Sequence, residues 1–145
     1  MTPTQQQFIE SFNTLASQAH DTAVSKGWWS NEDATILHGI ANESCLSRVD
    51  RVNLDKIAAK LEAKNDGEMI ALMHSELSEA LEALRHGNPP DDKIPEFSGV
   101  EAELADVIIR IFDLCSQRGW RVAEALVAKM EMNKSRSVKH GGKLF

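Results

Sequence analysis

What this chain lacks narrows its possible roles before any motif is considered. No apolar run approaches the roughly 20 residues needed to span a bilayer. The opening stretch, Met1–Gln7, is polar and no apolar block follows it, so no secretory leader is expected and the protein is expected in the cytoplasm. Only two cysteines occur, Cys45 and Cys115, far apart and without a CxxC or CxxxC spacing. Both fall in apolar-periodic segments and are expected to be small core residues, with a disulfide or a reactive thiol as lesser alternatives. Positive charge is not in excess: the net charge is −6, which argues against a general nucleic-acid binder. There is no sustained two-residue alternation, and no β-branched or aromatic run bounded by hairpin turns, so strands are not expected. Internal repeats, low-complexity tracts and an evident linker are also missing.

What remains is 145 residues, 42% apolar and 26% charged, the proportions of one ordinary globular domain spanning 1–145. The charge is unevenly spread. Lys129 to Phe145 carries five basic residues and one acidic, a net +4, so the rest of the chain carries −10. An acidic body with a basic end suits an anionic or metal-bound partner, or is simply a solvated tail.

Apolar residues recur at helical spacing almost throughout. Phe8, Phe12, Leu15, Ala19 and Ala23 form one stripe, ending near Gly27. Ile36 and Ile40 mark a weaker helix, and Leu54, Ile57, Ala58 and Leu61 a third that stops before the Asn65-Asp66-Gly67 turn. Ile70, Met73, Leu77, Leu81 and Leu84 form a strong fourth, closed by "HGNPP" at 86–90. Val100–Ser116 is the fifth and most apolar, and Val122, Leu126 and Met130 mark a sixth. The expected fold is an all-α antiparallel bundle of five or six helices, its wide apolar arcs favouring self-association.

Carboxylates punctuate the fourth and fifth helices. With each residue turning about 100°, Glu76 falls at the border of the arc centred on Met73, Glu79 farther out, and Glu82 opposite it. On the fifth helix Glu103 and Asp106 share one flank, again three residues apart, while Asp113 falls opposite Leu104. Arg110 lies one turn after Asp106, where an i,i+4 ion pair is the simple expectation, with a phosphate contact as the alternative. If the two helices pack antiparallel, their acidic flanks can meet. Four carboxylates in one cleft repel unless a cation lies between them, and Mg²⁺ is the hard, oxygen-seeking ion that suits such a set. On spacing alone, four solvated acids on two ordinary helices fit the pattern as well. Trp28 and Trp29 follow Gly27 at a helix end; one can close the core while the other packs at an interface or stacks on a base. His74 and His140 carry no clear signal.

The ordered set "IALMHSELSEALEALR", "EAELADVIIRIFDLC" and "KMEMNKSR" resembles the MazG-like branch of the all-α NTP pyrophosphatase superfamily. "KGWW" at 26–29 and "KHGGK" at 139–143 resemble its short single-domain members, and the likeness covers roughly residues 8–30 and 68–145. The resemblance implies a homodimer or homotetramer that cleaves a nucleoside triphosphate between the α- and β-phosphates with Mg²⁺, Mn²⁺ being a substitute. It implies Glu76, Glu79, Glu103 and Asp106 as metal ligands; one of these acids would orient or deprotonate the attacking water, and Glu79 is the candidate for that role. It implies Lys129, Asn133 and Arg136 as phosphate or sugar contacts; of the two tryptophans, Trp28 is the candidate base contact. Residues 31–67 lengthen the gap before the acidic helix and are expected to be a helical insert that supplies no metal ligand. Phosphoribosyl-ATP or a guanosine alarmone are alternative substrates, and a non-catalytic helical interaction module is the alternative from another class.

Overall fold

The computed structural model describes residues 1–135. Those residues form six α-helices: α1 Pro3–Ser25, α2 Glu32–Ala41, α3 Arg48–Glu62, α4 Asp66–Arg85, α5 Gly99–Arg118 and α6 Val122–Lys134. Among them there is no strand, only an isolated bridge between Pro90 and Ser98, and no helix long and apolar enough to cross a membrane.

The helix starts follow from side chains that satisfy the first backbone N–H groups. Thr2 and Gln5 form a capping box on α1 with Pro3 in its first turn, and Ser98 and Glu101 form another on α5. Asn31, Ser47 and Asn65 cap α2, α3 and α4. The connection from α4 to α5 is also fixed by local hydrogen bonds. Gly87 and Asn88 both adopt positive φ, the region that suits glycine and asparagine. Asn88 then accepts from the Val100 N–H at 3.0 Å, and Asp91 accepts from the N–H groups of Lys93 and Ile94.

Helix α5 is the centre of the fold, packed along α4 on one side and α1 on another, while α6 lies lightly on α1. Helices α4 and α5 are antiparallel: Asp66 meets Arg118, Glu76 meets Arg110 and Ala83 meets Gly99. The residues that α4 turns inward are Met69, Met73, Glu76, Ala80 and Ala83, a seam with alternating steps of four and three. This corrects the expected arc. Ile70, Leu77, Leu81 and Leu84 lie outward and are more than two-fifths exposed, because the small side chains are what allow the helices to approach. A similar rotation holds in α6, where Ala123 is buried and Leu126 and Met130 are exposed. Cys115 is buried as expected; Cys45 is exposed in the connection between α2 and α3, and both are free thiols.

The segment expected to be an insert is a helical hairpin. The extended packing partners of α2 and α3 are each other, through Ala34, Ala41 and Ala58. His38 lies between Asp55 (3.0 Å) and Glu62 (3.5 Å) and ties the two helices on the outside. The Asn31 amide, donating to the Leu61 carbonyl at 3.2 Å, closes the base of the hairpin.

Two glycines in helices should respond in opposite directions. A Cβ on Gly99 would lie 3.1 Å from the Ala83 Cβ, so Gly99→Val should destabilise the α4–α5 pair by about 1–3 kcal/mol, read by chemical denaturation. Gly39, inside α2, has open space around it. Gly39→Ala should stabilise that helix by about 0.5–1 kcal/mol, read as slower amide exchange in α2.

Candidate metal centre and adjoining pocket

Glu76 occupies the middle of the α4 seam and is only 7% exposed. A carboxylate in such a place is costly unless it is paired. Its partner is Arg110 of α5, whose Nε donates to Glu76 Oε1 at 2.6 Å and whose Nη2 meets the same oxygen. The expected i,i+4 pair between Arg110 and Asp106 is thus replaced by a pair across the seam.

Carboxylate oxygens of Glu76, Glu103 and Asp106 lie within 4.8 Å of one another, which brings together three of the four acids singled out in the sequence. Glu103 is within hydrogen-bonding reach of Glu76. Glu79, one turn along α4, stands outside this trio; it is exposed and accepts a long 3.4 Å hydrogen bond from Ser75. Burial pushes the Glu103 carboxyl above the usual range; the hydrogen bond to Glu76 and the charges of Glu79, Glu76 and Asp106 push it in the same direction. Among the described residues, the ion pair made by these four carboxylates is the one between Glu76 and the Arg110 guanidinium. An all-oxygen donor set with uncompensated negative charge fits a hard divalent cation such as Mg²⁺. None of the trio comes from the α2–α3 hairpin.

Arg110 also lines a neighbouring cavity of about 440 Å³ between α1, α4 and α5, walled by Trp28, Trp29, Lys64, Leu72, Ile109 and Asp113. Trp28 is 58% exposed at this cavity, and Trp29 is fixed beneath it. The Trp29 indole N–H donates to Asp113 Oδ1 at 2.8 Å, with Oδ2 at 3.1 Å, and His20 Nδ1 donates to Oδ1 at 2.7 Å. Arg118 packs over the Trp29 ring at 5.8 Å and is itself held by Asp66 and the Lys64 carbonyl.

Asp113 is therefore not on the outer face of α5, as its position opposite Leu104 had implied. It is only 5% exposed, because α1 crosses α5 on that side. Residues Phe112 to Cys115, an acid flanked by apolar side chains, were the available signal. Lys129 and Asn133 lie on the exposed surface of α6, which packs on α1. The structure does not bring Lys129 into a described contact with the acidic trio, and Arg136 and His140 lie outside the described residues.

The Glu103 environment has a consequence for stability. A carboxyl whose folded value is raised destabilises the fold where it must ionise: the penalty is absent below the unfolded value and complete once pH exceeds the folded one. Glu103→Gln should therefore raise the melting temperature at neutral pH, and this gain should vanish on acidification. Millimolar Mg²⁺ should raise the melting temperature of the native chain and do so much less for the variant. An equal shift in both proteins would count against a cation at this position.

Comparison with family models, with curated proteins and with solved structures finds no match for this chain.

Proposed function

We propose that this protein is a Mg²⁺-dependent nucleoside triphosphate pyrophosphohydrolase of the MazG-like type. The observation that carries the reading is the convergence of Glu76, Glu103 and Asp106 across one helix seam, with Arg110 shared between that trio and the Trp-lined cavity. The resemblance of the acidic helices to that family supplies the reaction class. The burial of Glu76 weighs against a helical interaction module whose acids are only solvated.

In this reading Glu76, Glu103 and Asp106 hold the cation, with Glu79 completing the set from its exposed side. The bound ion would neutralise the phosphates, polarise the phosphorus and lower the pKa of a water. Glu79 is the acid free of the seam, and it orients that water or takes its proton. Arg110 holds Glu76 in place and presents positive charge towards the cavity, where a phosphate oxygen would arrive. Trp28 offers an aromatic face to the base. Lys129, Asn133 and Arg136 contact the phosphates from the basic end of the chain, an arrangement that calls for a second subunit or for a rearrangement of the final turn of α6.

A homo-oligomer is part of the same proposal, and the packing of the single chain supports it. Among the described residues no large side chain is completely buried; the core is mainly alanine, while Leu77, Leu81, Leu84, Leu104 and Ile108 are exposed apolar residues on α4 and α5. Apolar exposure of that kind on a single chain marks an interface. Light scattering at micromolar concentration should give a dimer or tetramer, and Leu81→Glu with Ile108→Glu should shift it to a monomer. A native chain that scatters as a monomer would refute the assembly.

The activity is tested by pyrophosphate release from ribo- and deoxyribonucleoside triphosphates, phosphoribosyl-ATP and a guanosine alarmone, with and without Mg²⁺. Release should require the metal. Glu76→Gln, Glu103→Gln and Asp106→Asn should each lower turnover at least a hundredfold, whereas Glu82→Gln, on the outer face, should leave it unchanged. Near-native turnover in the first three would refute the site.

A further inference from the structure

The cavity beside the acidic trio has a polar floor that the proposed chemistry does not use. Its floor is Asp113, a buried carboxylate whose immediate neighbours are both committed. Oδ1 accepts from His20 Nδ1 at 2.7 Å and Trp29 Nε1 at 2.8 Å, which fills its two lone-pair directions. Among the described residues Oδ2 receives only the longer 3.1 Å edge of the Trp29 N–H, which leaves acceptor capacity there. Both neighbours have further contacts. Trp29 lies edge-on to His20 at 5.5 Å and is covered by Arg118, which Asp66 and the Lys64 carbonyl anchor. The carboxylate is thus held in one orientation at a wall of the cavity, with Trp28 exposed at the same cavity.

We infer that this cavity is the nucleobase site and that Asp113 selects bases carrying an exocyclic amino group, adenine, guanine or cytosine, over uracil and thymine. The inference rests on the proposed nucleotide chemistry for its ligand class and goes beyond it in naming the base. The argument is one of matching donors to acceptors. A fixed carboxylate with one accepting position takes one N–H. An amino group projects beyond the ring edge and can deliver that hydrogen without bringing a second acceptor against the carboxylate. The imide N–H of uracil or thymine is flanked by two carbonyl oxygens, and each approach to a carboxylate sets oxygen against oxygen. A buried polar group left facing a carbonyl is the kind of mismatch that discriminates by orders of magnitude, unlike a difference in apolar fit. Trp28 supplies the stacking face, which tolerates any base, so affinity and selectivity come from different residues. The cavity, about 440 Å³, is large enough for a base and its sugar.

Binding of free nucleosides, followed by quenching of tryptophan fluorescence without metal, tests the site independently of catalysis. The native protein should bind adenosine, guanosine and cytidine at least tenfold more tightly than uridine and thymidine. Trp28→Ala, an exposed substitution that should leave the fold intact, should weaken all of them at least tenfold. Asp113→Asn keeps an acceptor for Trp29 and His20 while altering the position offered to the base, and should reduce the preference to less than threefold. Equal binding of all five nucleosides by the native protein, or an undiminished preference in a folded Asp113→Asn protein, would overturn the assignment. If Asp113→Asn does not fold, Trp28→Ala decides the matter: a preference that persists while every affinity falls supports the division of roles, and a preference lost with Trp28 overturns it. Selective nucleoside binding in a protein that releases no pyrophosphate would refute the hydrolase reading alone. Pyrophosphate release with no preference among bases would refute the Asp113 assignment alone.

Discussion

The charge pair between Glu76 and Arg110 is the interaction on which the arrangement of α4 and α5 depends. A carboxylate at the centre of a helix seam has lost most of its water and keeps its charge only with a partner. Arg110 provides this with both Nε and Nη2 on a single oxygen, Oε1, which leaves the second oxygen of Glu76 uncommitted to the guanidinium. That division is what allows one residue to belong to the core and to an acidic cluster at once. Without Arg110, a buried carboxylate would face Glu103 and Asp106 with nothing to offset it. The fold and the cluster are therefore not separable features laid one upon the other.

The second charged residue in the interior, Asp113, works differently. It is satisfied by a histidine and an indole, neither of which is a permanent cation, so it remains a strong acceptor at the edge of the cavity. Between these two acids, Arg110 is the charged residue of the seam that also lines the cavity. An anionic ligand meeting the cavity wall and a cation meeting the trio would both act on the same side chain, so occupancy at one position is felt at the other through a single guanidinium.

Much of the fold was legible in the sequence. All six helices were expected close to where they occur, because capping residues such as Ser98 and turn residues such as Gly87 act locally. The rotation of the helices was not. The largest apolar residues of α4 define one arc, but the seam uses Met69, Met73, Glu76, Ala80 and Ala83, since packing density favours small side chains where two backbones come close. Setting Leu77 and Leu81 inward left Glu76 at the margin; setting the alanines inward puts it at the centre. The burial of Asp113 likewise depends on α1 packing against α5 from a distant part of the chain, a non-local fact that no helical wheel contains. The spacing puts Glu76, Glu103 and Asp106 at the margins of the two apolar arcs, and the rotation of the helices decides that these three meet while Glu79, three residues on from Glu76, stays outside. Arg110 has a possible partner one turn away in Asp106, and only the packing of α4 on α5 shows that it pairs across the seam instead.

Ala80 is buried one turn beyond Glu76, and Ala83 meets Gly99 a further turn along. Methyl groups and a hydrogen atom are thus what hold α4 and α5 apart, and such contacts have no soft rotamers to yield. The gap between the acids of the two helices is set by a hard gauge. Were a divalent ion held between those acids, the backbone separation would read its size: a smaller ion at about 2.1 Å from its oxygens and a larger one at about 2.4 Å require different gaps. Enlarging Ala80 by one or two carbons would move Glu76 relative to Glu103 without touching either, and would change the gap offered to such an ion through a residue that carries no charge at all.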